Sequence, residues 1–339
     1  MQLPFSWPVS ETYQSGSLVM GVLLSHENIS KLYDNNYIHI FCKHVDSMWD
    51  VNLQFWGVSW EDFRLSGIFE MNLYHLNLFS DTSFDEFVKE RIAQENYILL
   101  HFIDEFFLPY SGCYQKKHFI HDAYIIGFED EFYYVLAYSE RKLQILKVLK
   151  TDIWNALTSC YDYKKEVYFC SLRPNHAVEV KIDYSKMRND FLLYLGEETS
   201  DSKSIPSEDH HSISVKPYTP TFVPEYIYGI NCYDEIIRLL ELTTSEDYLD
   251  IRPFRLLWEH KTIITERITK IRDEFNLVNV DLEVFDQITA KAKLIFTLAI
   301  KYKMVKTDKL KERIINHIRE LKGTEKEALD SFLNEWTIE

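Results

Sequence analysis

The 339-residue chain is short of glycine, of paired cysteines, of positive charge and of unbroken apolar runs, and each shortage excludes something. Nine glycines fall well below the roughly 24 that ordinary usage near 7% would supply. Its Gly-x4-Gly pair, Gly16 and Gly21, is followed by Val22-Leu23 where a phosphate loop needs Lys and Ser or Thr, and no Gly-x-Gly occurs. No nucleotide-binding loop is visible. Five cysteines (Cys42, Cys113, Cys160, Cys170, Cys232) are an odd number without Cys-x-x-Cys spacing, which predicts reduced thiols in a cytoplasmic protein rather than a disulfide framework. Lys+Arg 37 against Asp+Glu 53 gives a net charge of −16. Residues 259–339 hold 15 basic and 15 acidic side chains, so the first 258 carry the whole excess. A surface that repels phosphate speaks against nucleic acid and anionic membranes as partners. The apolar stretch from Ile98 to Leu108 is interrupted by His101, Asp104 and Glu105, and no run reaches the ~18 residues of a membrane span. The first residues offer neither a basic nor an apolar region, so no secretory signal is expected.

What the chain has in excess is aromatic side chains: Tyr 22, Phe 22 and Trp 7, 15% of residues within a 46% apolar composition. That suffices for a sizeable core, and the length suits about two domains of 100–200 residues. The seam between them is Gly196 to Pro220, rich in Ser, Glu, Asp and Pro and long for a connection inside one domain. The expected organisation is an α+β domain over 1–195, a linker or mobile loop over 196–221, and an α-helical domain over 222–339. Within the first, Ser83-Phe84-Asp85-Glu86 reads as a capping box opening a helix. Residues 97–107 read as a buried strand, and 119–127, 131–138 and 142–149 as successive antiparallel strands. Residues 152–159 and 185–195 predict helices, with strands at 166–172 and 177–182 between them. Beyond the seam, amphipathic helices are expected at 233–240, 254–275, 282–302, 308–321 and 325–336, the last two separated at Gly323. Short loops make these a bundle.

Metal chemistry finds little support. His118 and His121 stand i,i+3 in a segment read as extended, which points them to opposite faces. His39 and His44 share the difficulty, and His210-His211 lie in the linker. Zinc needs three or four converging ligands, so neither metal nor cofactor is expected. Nucleophile chemistry is better served. His121 opens the run His121-Asp122-Ala123-Tyr124-Ile125-Ile126-Gly127, and another strand follows. An imidazole at the head of a core strand is held rigid, and a neighbouring strand can supply the group that orients it. A histidine merely satisfied within a strand is the plainer alternative. Cys113, eight residues earlier beside Pro109-Tyr110-Ser111-Gly112, is a candidate nucleophile on a segment read as a loop. Cys42 is expected to pack within a strand. Glu259-His260-Lys261 reads as a charged helix face, either solvated or turned to a partner.

Two groups of residues carry a resemblance. Asp104, Phe106-Phe107, Pro109, Ser111 and Tyr114, then His118, His121-Asp122, Ile125 and Gly127-Phe128, are similar to the signature segment of butirosin-biosynthesis-protein-H-like proteins. Tyr228-Gly229-Ile230 with Tyr233, Arg252-Pro253-Phe254, and Glu259-His260-Lys261 with Arg267 resemble the helical region of the same group. These are papain-like proteins associated with nonribosomal-peptide and antibiotic gene clusters. The resemblance implies a papain-like first domain with cysteine acyltransferase or amide-bond chemistry. In that chemistry a thiolate takes an acyl group from a carrier-protein thioester, a histidine moves the protons, and an upstream glutamine helps form the oxyanion hole. On that pattern His121 is the catalytic imidazole, Gln14 the oxyanion glutamine, and Asp104, Tyr114 and His118 substrate-binding residues. The chain departs from the pattern. Met20 stands at the cysteine-like spacing, no cysteine precedes Cys42, and the strand after Gly127 brings no orienting carboxylate; Ser15 or Ser17 could stand in for the thiol. The expectation is an accessory protein of peptide natural-product biosynthesis with an incomplete triad, a pseudoenzyme partnered by an acyl or peptidyl carrier protein or a synthetase. An active acyltransferase or amide hydrolase using His121 with Cys113, Ser15 or Ser17, and a structural interaction subunit, are the alternatives.

Overall fold

The strands between residues 69 and 174 build one sheet, its two central strands carrying runs of buried residues. Six antiparallel strands lie in the order β3-β8-β4-β5-β6-β7. They are β3 (Phe69–His75), β4 (Tyr97–Asp104), β5 (Ile120–Glu129), β6 (Phe132–Ser139), β7 (Lys142–Leu149) and β8 (Tyr168–Pro174). The computed structural model describes residues 1–48, 50–58, 63, 67–140, 142–196, 226–244 and 246–337. These divide into two compact units, one holding the described residues of 1–30 and 59–180, the other those of 31–58, 181–196 and 226–337. Residues 197–221 of the expected linker, His210-His211 among them, lie outside the described residues.

In the first unit, β5 and β6 are joined across two residues, with Asp130 at φ 36°, a left-handed conformation that Asp tolerates in tight hairpins. Gly127 is required by close approach: a Cβ there would stand 2.6 Å from the Met1 carbonyl oxygen, because residues 1–3 run along β5, with Leu3 N–H donating to Ile126 O at 2.8 Å. The helices of this unit are α1 (Gln14–Ser25), α3 (Asp81–Ala93) and α4 (Lys150–Thr158), while α2 (Glu27–Asn35) carries the chain on into the second unit. Phe84 of α3 anchors the helix layer, its ring 5.2 Å from Phe169, 5.7 Å from Trp154 and 6.5 Å from Tyr133. The capping box belongs to Ser80 rather than Ser83. Ser83 N–H donates to Ser80 Oγ at 3.3 Å and Ser80 N–H to Ser83 Oγ at 2.8 Å, so the helix starts earlier than the Ser-x-x-Glu pattern suggests. Residues 177–182 form no strand. Their backbone is satisfied by Asn28 instead, whose carbonyl accepts from Val180 N–H at 2.8 Å and whose amide donates to Val178 O at 2.8 Å.

The second unit holds a small antiparallel sheet, β2-β1-β9, from Gln54–Phe55, Ile40–Lys43 and Tyr226–Tyr228. Cys42 is buried in its central strand. Its helices are α5 (Tyr184–Leu195), α6 (Cys232–Leu242), α7 (Arg252–Phe275), α8 (Leu282–Val305) and α9 (Asp308–Glu335). The expected break at Gly323 does not occur: α9 runs through it. An exposed mid-helix glycine costs only about 1 kcal/mol relative to alanine, and Leu321, Glu325 and Leu329 are all buried on one continuous face. The architecture is thus α+β, an antiparallel-sheet domain followed by a helical bundle. No helix among the described residues is long and apolar enough to cross a membrane.

The charged face expected at Glu259-His260-Lys261 is turned inward; all three side chains are buried, with Arg267. Polar partners make this tolerable. Lys261 Nζ donates to Glu325 Oε1 at 2.5 Å, Tyr194 OH at 2.7 Å and His260 Nδ1 at 2.8 Å. His260 Nε2–H donates to Ile38 O at 2.8 Å, and Tyr233 OH donates to Glu325 Oε2 at 2.5 Å. Burial, and then the Lys261 charge, hold His260 well below the usual imidazole range, so it stays neutral and accepts from the ammonium. Arg267 donates to Tyr33 O at 2.6 Å and Asn36 O at 2.9 Å, and also to Asp34 O. It thereby caps the carbonyl end of α2, where a cation is favoured.

Candidate functional site

The residues singled out by sequence gather where β4 ends and β5 begins. Strand register sets Ile103 opposite His121 and Asp104 opposite Ile120. Cross-strand partners share a face and neighbours alternate, so Asp104 and His121 are assigned to opposite faces. Two polar constellations result, one around each imidazole.

The first surrounds His121. Its Nδ1 lies 3.3 Å from Asp122 Oδ1 and 3.7 Å from Glu105 Oε1. Each carboxylate is held by a hydroxyl: Tyr124 OH donates to Asp122 Oδ2 at 2.7 Å, and Ser111 Oγ–H to Glu105 Oε2 at 2.5 Å. The ring stacks on Phe119 with centroids 5.5 Å apart. Gln14, the first residue of α1, is buried, and its amide donates to Asp122 O at 2.8 Å. Gln14 is thereby tied to the backbone of β5 at the residue after His121. Tyr110 belongs to the same neighbourhood. Burial, then the charges of Glu105 and Asp122, push its phenol far above the ordinary value, so it is a neutral hydroxyl.

The second surrounds His118. Its Nδ1–H donates to Asp104 Oδ2 at 2.6 Å, short as befits a charge-assisted bond. Asp104 is 0% exposed and ends β4. Its Oδ1 accepts from Phe106 N–H and Phe119 N–H, each at 3.1 Å, and Oδ2 also receives Ser159 Oγ–H at 3.4 Å. Burial pushes this carboxyl up, but the bonds from His118 and the two backbone amides outweigh it and bring it below the usual range. His118 stacks on Phe106 at 4.3 Å, with Tyr163 at 5.6 Å. Cys160 stands beside this carboxylate, but burial, reinforced by Asp104, pushes its thiol up to about 12, so it remains protonated.

The other candidates make no hydrogen bond to either imidazole among the described residues. Cys113 is half-buried in the turn between β4 and β5, its N–H donating to Ser111 Oγ at 3.0 Å; no hydrogen bond joins it to His121 among the described residues. Ser15 is exposed at the second position of α1. Ser17 is buried and donates to Tyr13 O at 2.8 Å. Met20, at the cysteine-like spacing, is buried well inside α1. Tyr114 OH accepts from Gln115 Nε2 at 3.1 Å. Sequence reasoning gave no role to Glu105, Ser111 or Ser159. The tandem acids Asp104-Glu105 were the available signal for the first, whereas Ser159 lies 55 residues from its carboxylate and no spacing reveals it. Among the described residues no group of three or more acidic, histidine or cysteine side chains could hold a metal ion. No protein-family model matches this chain, and no curated protein matches it.

Proposed function

We propose that the first unit is a catalytically degenerate relative of the papain-like acyltransferases and serves as an accessory protein of peptide natural-product biosynthesis. In this role it binds an acyl or peptidyl group presented as a thioester on a carrier protein. The observation that carries the reading is the 2.8 Å bond from Gln14, at the start of α1, to the carbonyl beside His121. A glutamine at a helix start, tied to the core strand that carries the imidazole, is the skeleton of an acyl-transfer site. Binding without turnover is supported by the company His121 keeps: its Nδ1 lies against two carboxylate oxygens, and no hydrogen bond joins the ring to a hydroxyl or thiol among the described residues.

The test is direct binding to a peptidyl carrier protein loaded through its phosphopantetheine thiol. Retention at micromolar concentration is expected, and His121→Ala should weaken it about tenfold, the worth of one lost hydrogen bond of about 1.4 kcal/mol. No retention overturns the reading. An activated-ester probe that acylates the intact protein, with labelling abolished by His121→Ala, would replace it with the active acyltransferase alternative.

A further inference from the structure

We infer that Asp104 and His118 form a second site, a general-base centre that activates water against a carboxylic ester with an apolar or aromatic acyl group. The inference stands independently of the carrier-protein reading, because it rests on a different imidazole and a different carboxylate. Three features carry it. The carboxylate is fully buried and fixed by two backbone N–H groups, so its position does not depend on a flexible partner. Its bond to Nδ1 at 2.6 Å dictates the tautomer of the neutral ring, leaving the Nε2 lone pair free to accept a proton. The His118 side chain is 47% exposed, and no hydrogen bond engages its Nε2 among the described residues. A buried acid orienting an accessible imidazole is the arrangement expected of a base that must take a proton and return it.

The rings around the imidazole define the substrate class. Phe106 lies parallel to His118 at 4.3 Å, Tyr163 is at 5.6 Å and Phe107 at 6.4 Å, so the rings packed about the imidazole are aromatic. In the step inferred, His118 Nε2 accepts a proton from water as the water oxygen bonds to the acyl carbon. Collapse of the tetrahedral adduct breaks the bond to the leaving alkoxide, which takes the proton from the imidazolium. Acid and alcohol are released, and the ring is regenerated without an enzyme-borne nucleophile. Asp104 acts through His118 and is a positioning residue.

The experiment is hydrolysis of p-nitrophenyl butyrate by the full chain, combined with nitrogen-15 NMR of the histidine rings. Wild type should hydrolyse the ester above the buffer rate, with a solvent deuterium isotope effect and no acyl adduct by mass. His118→Ala should lower the rate on the order of 100-fold, the usual worth of a general base. Asp104→Asn separates positioning from folding. Its amide oxygen can still accept from Phe106 and Phe119, while its NH2 faces His118 Nδ1 and forces the other tautomer. The rate should fall comparably, and the His118 ring should switch from Nδ1–H to Nε2–H with the thermal transition retained. The proposal is overturned if wild type shows no rate above buffer, if His118→Ala keeps that rate, or if neutral His118 in wild type is already the Nε2–H tautomer.

Discussion

At the scale of single residues, the most consequential side chain of the second unit is Lys261. Its ammonium has three donors, and Glu325, Tyr194 and His260 take all three. It also lies over the Tyr194 and Tyr233 rings at 4.9 and 5.2 Å, where the ring quadrupoles favour a cation. Removing one member of a buried ion pair costs more than the pair contributes, because the partner is stranded without water. Lys261→Met should therefore lower unfolding free energy by about 3–5 kcal/mol, read from the urea midpoint. The double variant Lys261→Met with Glu325→Leu should recover part of that loss; if it is no more stable than the single variant, the pairing account fails. The sequence hid this cluster for a physical reason. Lys, Glu and His on a helix are nearly always solvated, and their burial depends on tyrosines from two other helices.

At the scale of elements, what was legible was local. The hairpins β5-β6 and β6-β7 could be read because their turns and apolar runs adjoin in sequence, and β7 falls on 142–149 as expected. Misreadings arose where another part of the chain decided. Val180 found Asn28 rather than a strand, and the segments that leave β4 and enter β5 bring Asp104 to His118 and Glu105 to His121. The site residues were thus visible as types, but not as pairs. The uninterrupted α9 supplies a test at this scale. Nothing lies within 4 Å of a Cβ built on Gly323, and its backbone is helical. Gly323→Ala should stabilise the protein by roughly 0.5–1 kcal/mol through helix propensity and reduced freedom of the unfolded chain. A lowered melting temperature in that variant would restore the two-helix reading.

At the scale of the whole molecule, burial of titratable groups bounds the pH range of stability from both sides. Burial, then the nearby Lys186 charge, lowers His39 to about 4, and His260 is held well below its ordinary 6.5. When a histidine is depressed in the fold, the unfolded chain binds the extra proton first. Its contribution is present above pH 6.5 and is lost as pH falls from 6.5 toward the folded value. For His39 the difference amounts to roughly 3 kcal/mol by pH 4. Asp190 works the other way, since burial raises its carboxyl and its contribution is lost as pH rises; it offsets part of the acid loss. At the alkaline end Tyr194 and Tyr233 are raised by burial and by Glu325. Their contribution is complete below pH 10 and lost above it, as the unfolded phenols ionise. Urea midpoints measured across pH should therefore form a plateau between about 6.5 and 8.5, the ordinary pKa values of His and Cys, and fall on either side. The thiols of Cys160 and Cys232, also raised by burial, begin the alkaline loss before the tyrosines add to it. His39→Leu should flatten the acid limb specifically, because it removes a proton acceptor from the unfolded chain and leaves the tyrosines untouched. If that variant keeps the wild-type slope between pH 6.5 and 4.5, the acid loss does not come from His39.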